Sequence, residues 1–92
     1  MEQCDEIALK RLRLRSWRRG TREMDLILGP FADRALTALT KGALRDYEAL
    51  LSENDQDLYL WIGGAGPVPA SFHDIVAEIR MFHAIGPRDA AL

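Results

Sequence analysis

The sequence has a single cysteine, Cys4, so it can form neither an internal disulfide nor a cysteine metal cluster, and a reducing compartment is indicated. It contains no apolar run of about 18 residues, so no direct membrane insertion is expected. The two histidines, His73 and His83, fall on one predicted helix. Their spacing separates them by about 15 Å along the axis, too far to share a metal ion or a proton. A capping-turn polar group and a helix-end cation are the roles expected of them. Strand patterns are also missing. Leu12-Arg13-Leu14-Arg15 alternates as a strand would, but no second such run exists to pair with it. Gly63-Gly64-Ala65-Gly66 is glycine-rich, yet no strand precedes it and no Gly-Lys-Ser/Thr follows. It sits at a predicted helix C-terminus, where the dipole repels a phosphate. The acidic pairs Asp46/Glu48 and Asp55/Asp57 have no histidine beside them and read as solvated faces and helix caps. Nothing composes a nucleophile, a base and an oxyanion site. The sequence therefore points to an interaction protein rather than an enzyme, with no catalytic residue, no metal ligand and no cofactor of its own.

At 92 residues the chain is read as one domain with a small core. The formal net charge of −2 argues against non-specific nucleic-acid binding by the whole domain. That small sum conceals a strong asymmetry. Lys10, Arg11, Arg13, Arg15, Arg18, Arg19 and Arg22 account for seven of the 12 basic residues, and Asp46, Glu48, Glu53, Asp55 and Asp57 form an acidic middle. A small dipolar protein can orient on a charged partner before contact.

Five helical segments with short joints are predicted, giving an all-α five-helix bundle. Residues 1–5 are expected to be disordered, 6–86 to form the helical domain and 87–92 to be a mobile tail. The first helix is capped by Asp5 and runs to about Trp17, with Ile7, Leu12, Leu14 and Trp17 as its apolar contacts. Arg11, Arg15 and Arg18 share one of its faces. Gly20 or Thr21 caps the second helix, whose stripe is Met24, Ile27, Leu28, Phe31, Ala35, Leu36 and Leu39. The stripe keeps phase across Gly29-Pro30, so a kink or two abutting helices are expected there rather than a loop. Thr40 caps a third helix with Leu44, Tyr47, Leu50 and Leu51 on its core face. Ser52-Glu53-Asn54-Asp55 is a turn with cap chemistry. The short helix after it packs through Leu58, Tyr59, Trp61 and Ile62 and stops at Gly63-Gly64. Ser71-Phe72-His73-Asp74 reads as a capping box for the last helix, which carries Phe72, Ile75, Val76, Ile79, Met81 and Phe82 and ends at Gly86-Pro87.

The most informative stretch is Arg18-Arg19-Gly20-Thr21-Arg22-Glu23-Met24-Asp25. A glycine at a helix–helix corner tolerates φ > 0 and admits close approach of another backbone. Arginines around it present planar, multi-donor groups suited to carboxylates, phosphates and carbonyls. Glu23 adds an acceptor. The plainer alternative is that Gly20 only ends one helix, Glu23 sits in the first turn of the next and the arginines are a solvated face. If Gly20 is the cap, Glu23 can reach back to the cap's N–H. Trp17, beside the corner, is the better interface candidate of the two tryptophans.

Arg19-Gly20-Thr21-Arg22-Glu23 matches an R-G-x-x-E signature. Arg18-Arg19-Gly20, Glu23-Met24-Asp25, Leu28-Gly29-Pro30-Phe31, Tyr47-Glu48-Ala49-Leu50-Leu51 and Asp55-Gln56-Asp57-Leu58-Tyr59-Leu60-Trp61 extend the match. With these blocks, over roughly residues 7 to 85, the chain resembles the SdhE-type FAD assembly factors, which include the mitochondrial succinate dehydrogenase assembly factors. The Gly63–Gly66 loop departs from that pattern. The resemblance implies a five-helix bundle that binds the flavoprotein subunit of succinate dehydrogenase and, in some bacteria, of fumarate reductase. It implies help in attaching FAD covalently to a histidine of that subunit. By position, Arg19, Gly20 and Glu23 carry the partner-binding role, flanked by Arg18, Arg22 and Asp25, with Arg15 and Trp17 beside them. A monomer is expected. Met1–Glu6 carries three acids, unlike a signal or transit peptide, so a bacterial cytoplasm is expected ahead of a processed mitochondrial matrix form.

Two rival readings stand beside this one. A small basic-corner nucleic-acid-binding module would use the seven basic residues on phosphates, against the acidic middle. A flavin-binding protein in its own right would carry a visible flavin absorbance.

Overall fold

Caps and glycines set the helix boundaries of this chain. The computed structural model describes residues 2–83, with side chains from Glu6 onward. The order is α1 (Glu2–Trp17), α2 (Arg22–Ala35), a 3-10 turn (Leu36–Ala38), α3 (Lys41–Leu50), α4 (Asp55–Gly63), a second 3-10 turn (Ala70–Phe72) and α5 (His73–Phe82). The described residues thus form five α-helices and no strand, the predicted all-α class. Between Leu39 and Thr40 the chain divides into two compact units. α1 starts at Glu2, so helical backbone reaches into the segment expected to be disordered and begins ahead of the cap expected at Asp5. Acidic residues suit the positive end of a helix dipole, which favours this early start. The side chains of Cys4 and Asp5, the Gly86-Pro87 stop and the tail from residue 87 lie outside the described residues.

In the first unit, α2 carries the apolar face. Met24, Leu28, Phe31, Ala32 and Leu36 are buried, and Gly29 with them. Each fully buried large apolar side chain contributes about 1.5–3 kcal/mol relative to exposure. Ile27, Ala35 and Leu39 are only half-buried. α2 runs as one helix through Pro30, so the stripe stays in phase as predicted.

The first helix differs from its prediction. Ile7 (54%), Leu14 (55%) and Trp17 (40%) are exposed, and only Leu12 of the four apolar candidates is buried. The fully buried partner on its inner face is Ser16, one turn on, whose hydroxyl donates to the Leu12 carbonyl at 2.7 Å. A serine can occupy such a site because it returns its proton to its own helix.

Trp17 lies across α2. A Cβ placed on Gly29 would fall 2.4 Å from the indole ring, well inside contact distance. The indole N–H donates to both carboxylate oxygens of Asp33, at 3.2 and 3.1 Å. Gly29 is therefore required by the ring that covers it.

In the second unit, Thr40 caps α3 by accepting from the Ala43 N–H at 3.1 Å. Asn54 caps α4, accepting from the Asp57 N–H at 2.8 Å while its amide donates to the Asp57 carboxylate at 3.1 Å. Asp55 and Asp57 occupy the first turn of α4, as read from the sequence. The core is Tyr47, Leu50, Leu51, Leu58, Ile62, Phe72, Ile75, Val76 and Ile79. The rings of Trp61 and Phe72 sit 5.7 Å apart. Leu44 and Phe82 are half-buried, whereas Tyr59 (52%) and Met81 (74%) are exposed, against expectation. Their helix positions lie just off the buried stripes.

α4 ends on Gly64 at φ +80, with the Gly64 N–H donating to the Trp61 carbonyl at 3.2 Å and the Ala65 N–H to the Leu60 carbonyl at 2.9 Å. That paired closure is the role of the glycine-rich loop. The Ser71 capping box does not form. Ser71 lies inside the second 3-10 turn, and α5 starts at His73 without a side-chain cap. The turn follows Pro69, whose carbonyl accepts the Phe72 N–H at 2.9 Å and draws the chain into a tight turn first. The His73 Nε2 lies 2.8 Å from the Val68 carbonyl, and His83 closes α5, so both histidines hold the turn positions expected of them.

Gly29→Ala is expected to unseat Trp17 and to destabilise the chain by roughly 1–3 kcal/mol, through overpacking. Gly63→Ala, where a Cβ meets nothing within 4 Å, is expected to stabilise it. The gain should be about 0.5–1 kcal/mol, because alanine costs less backbone entropy in a helix. Urea unfolding followed by circular dichroism checks both signs.

Candidate functional site

The corner between α1 and α2 is built from four residues that continue neither helix. The Arg18 N–H donates to the Arg15 carbonyl at 3.3 Å, completing the last turn of α1. Gly20 then turns the chain at φ +99, a conformation costly to any residue with a Cβ. Thr21, with extended φ and ψ of −126° and 144°, caps α2. Its hydroxyl accepts from the Met24 N–H at 3.3 Å, and its carbonyl accepts from the Asp25 N–H at 3.0 Å.

The cap is thus Thr21 rather than Gly20, and this moves Glu23 one place. It falls second in the helix, is exposed, and does not stand where a capping box needs it. Asp25 takes over the closing function. Its carboxylate accepts the Arg19 backbone N–H at 2.8 Å, tying the loop to the first turn of α2. Charge-assisted bonds of this kind are roughly twice as strong as neutral ones. Asp25 is half-buried, so it is a brace of the corner as well as a candidate contact.

The corner is open. Gly20, Arg22 and Glu23 are exposed, as are Arg15 and Arg18, while Arg19 is half-buried. A Cβ at Gly20 would meet no atom within 4 Å, so the glycine is demanded by its backbone conformation and not by crowding. The structure gathers Arg18, Arg19, Gly20, Arg22 and Glu23 on one short turn. Trp17 stands immediately before it, held by Asp33. Asp33 and Gly29 are the residues sequence reasoning missed. The signal was present, since a glycine inside a helical stripe usually marks a close packing contact.

Elsewhere, Asp46 faces a groove of about 480 Å³ in the second unit, lined also by Asp74 and Glu78. Among the described residues no group of three or more His, Cys, Asp or Glu could hold a metal ion. No described helix is long and apolar enough to cross a membrane.

Comparison with known proteins bears on this geometry directly. The profile of a family described as "Flavinator of succinate dehydrogenase" matches residues 10–83, which include the whole corner. "Succinate dehydrogenase assembly factor 2, mitochondrial" of Dictyostelium discoideum is 39% identical over 74 residues, covering 80% of this chain and 52% of that protein. "FAD assembly factor SdhE" of Legionella pneumophila is 36% identical over 63 residues, covering 68% of this chain and 80% of that protein. The protein of the same description from Vibrio cholerae is 39% identical over 49 residues, covering 53% of this chain and 57% of its own length. The chain spans about half the length of the Dictyostelium relative. No solved structure matches it. With most of its length matched, including the helices that build the corner, the chain belongs to the family described as flavinators of succinate dehydrogenase.

Proposed function

We propose that this chain is an assembly factor that binds the flavoprotein subunit of succinate dehydrogenase and promotes covalent attachment of FAD to it. The observation that carries this reading is the open, braced corner at Arg19, Gly20 and Glu23, lying inside the matched region. The printed names of the relatives point to the same client.

The mechanism is holding. Attachment requires a histidine of the subunit to lie against the 8-methyl carbon of its flavin. A small partner that docks on one arrangement of the subunit shifts its population toward that arrangement. Good placement of reacting atoms is worth up to about 7–11 kcal/mol of barrier in favourable cases. The bond-making belongs to the subunit and its flavin, so the chain is not itself an enzyme and carries no cofactor. Within the corner, the exposed Arg18 and Arg22 and the half-buried Arg19 offer donors to acidic or carbonyl groups of the client. Gly20 leaves room for the client's backbone, and Glu23 accepts from a client donor. Arg15, Trp17 and Asp25 flank these contacts.

A second client of the same chemistry is the flavoprotein subunit of fumarate reductase. We place the protein in a bacterial cytoplasm, acting as a monomer with one corner per client. The named bacterial relatives and the single cysteine support that compartment.

In a reconstituted reaction of apo-subunit, FAD and this chain, Gly20→Arg and Glu23→Ala are each expected to slow the appearance of covalent flavin at least tenfold. Equal rates for both variants and the parent would remove the corner from the site. Asp25→Ala is expected to cost roughly 1–3 kcal/mol of stability, the penalty of an unpaired donor, and to slow attachment with it. A gel shift at low salt should show no complex with nucleic acid. A salt-sensitive shift would favour the phosphate-binding reading instead.

A further inference from the structure

α1 presents two different faces to solvent. Arg11 and Arg15 make a purely charged one, continued by Arg18 just past the helix end. The other is amphipathic. Ile7, Leu14 and Trp17 lie along it at 54%, 55% and 40% exposure. Lys10 and Arg13 stand between them. With Asp33 of α2, Lys10, Arg13, Leu14 and Trp17 line a groove of about 270 Å³.

Trp17 is the part of this face that is built for contact. It is two-fifths exposed, yet its N–H is held by both oxygens of Asp33 and its ring rests on Gly29. A large aromatic fixed before contact loses little conformational entropy on binding, and tryptophan is enriched among residues that dominate interfaces. The same residue is followed at once by Arg18, so the amphipathic face runs directly into the corner.

Resting on the flavoprotein reading above, we propose that this face is a second docking element of the chain. It takes a segment of the client that presents an apolar side chain flanked by carboxylates. The apolar side chain packs on Leu14 and Trp17, and the carboxylates meet Lys10 and Arg13. Charge complementarity selects this occupant, because the rim beside the apolar floor carries two cations and the carboxylate of Asp33 is engaged by the indole. Arg45, an exposed cation of α3 in the second unit, is not among the residues that line the groove.

The test measures affinity of the full chain for the purified apo-flavoprotein subunit of succinate dehydrogenase by titration calorimetry. Three variants are compared with the parent: Lys10→Glu/Arg13→Glu, Arg45→Glu and Gly20→Arg. The double reversal is expected to raise Kd at least tenfold and to flatten its dependence on salt. Arg45→Glu should change Kd less than twofold. Circular dichroism spectra and melting points matching the parent separate lost contact from lost fold. If the double reversal melts early, Leu14→Lys, an exposed position, replaces it with the same expected loss. Parent-like affinity for the double reversal, with Gly20→Arg still impaired, overturns this proposal and leaves the corner reading standing. No binding by the parent overturns the flavoprotein reading and this proposal with it. Sedimentation showing a parent dimer that the double reversal dissolves, without effect on client affinity, assigns the face to a second copy of the chain and overturns the proposal.

Discussion

The carboxylate of Asp25, accepting the Arg19 backbone N–H at 2.8 Å, is the bond on which the corner depends. Four residues must reverse the chain between α1 and α2 while leaving few intrahelical partners for their own N–H groups. Asp25 satisfies that of Arg19 from inside α2, while Thr21 caps the Met24 N–H in the first turn of the helix that follows. With both ends tied, Gly20 can remain at φ +99 with nothing above it. An exposed turn is usually mobile; this one is braced from beneath, so its arginines are presented from a fixed backbone.

A second brace works on the same pair of helices. Trp17 closes over Gly29 and hands its N–H to Asp33. Two of the three acids of α2, Asp25 and Asp33, thus hold successive points of the segment leading out of α1. This division of labour fits a binding protein. Polar groups hold the backbone, and the side chains of Arg18 and Arg22 stand exposed beside it. A preformed surface loses less entropy on binding than a pliable one. On the proposed function, that difference is what lets so small a chain bias a larger one.

Much of this was readable from local sequence. Thr40 and Asn54 cap the helices that follow them because short polar side chains satisfy nearby N–H groups wherever they occur. The α2 stripe survived Pro30 because its periodicity outlasts one missing hydrogen bond. The signature stretch was legible as a corner for the same local reasons. What failed needed tertiary knowledge. The inner face of α1 is Leu12 with Ser16, not the larger apolar residues, because Trp17 is drawn across to Gly29. The closing acid is Asp25, not Glu23, because the cap, open between Gly20 and Thr21 in the sequence, is Thr21. Ser71 lost its cap to a 3-10 turn set by Pro69. Tyr59, placed in the core by composition, faces solvent on α4.

The central claim is that a rigid, open turn grips the client. Amide hydrogen exchange of the full chain, alone and mixed with the apo-flavoprotein subunit, tests it most directly. The account predicts that peptides spanning residues 18–24 gain protection on mixing, while those of α4 exchange as before. Complex formation with exchange at the corner unchanged, and new protection confined to the second unit, would contradict it.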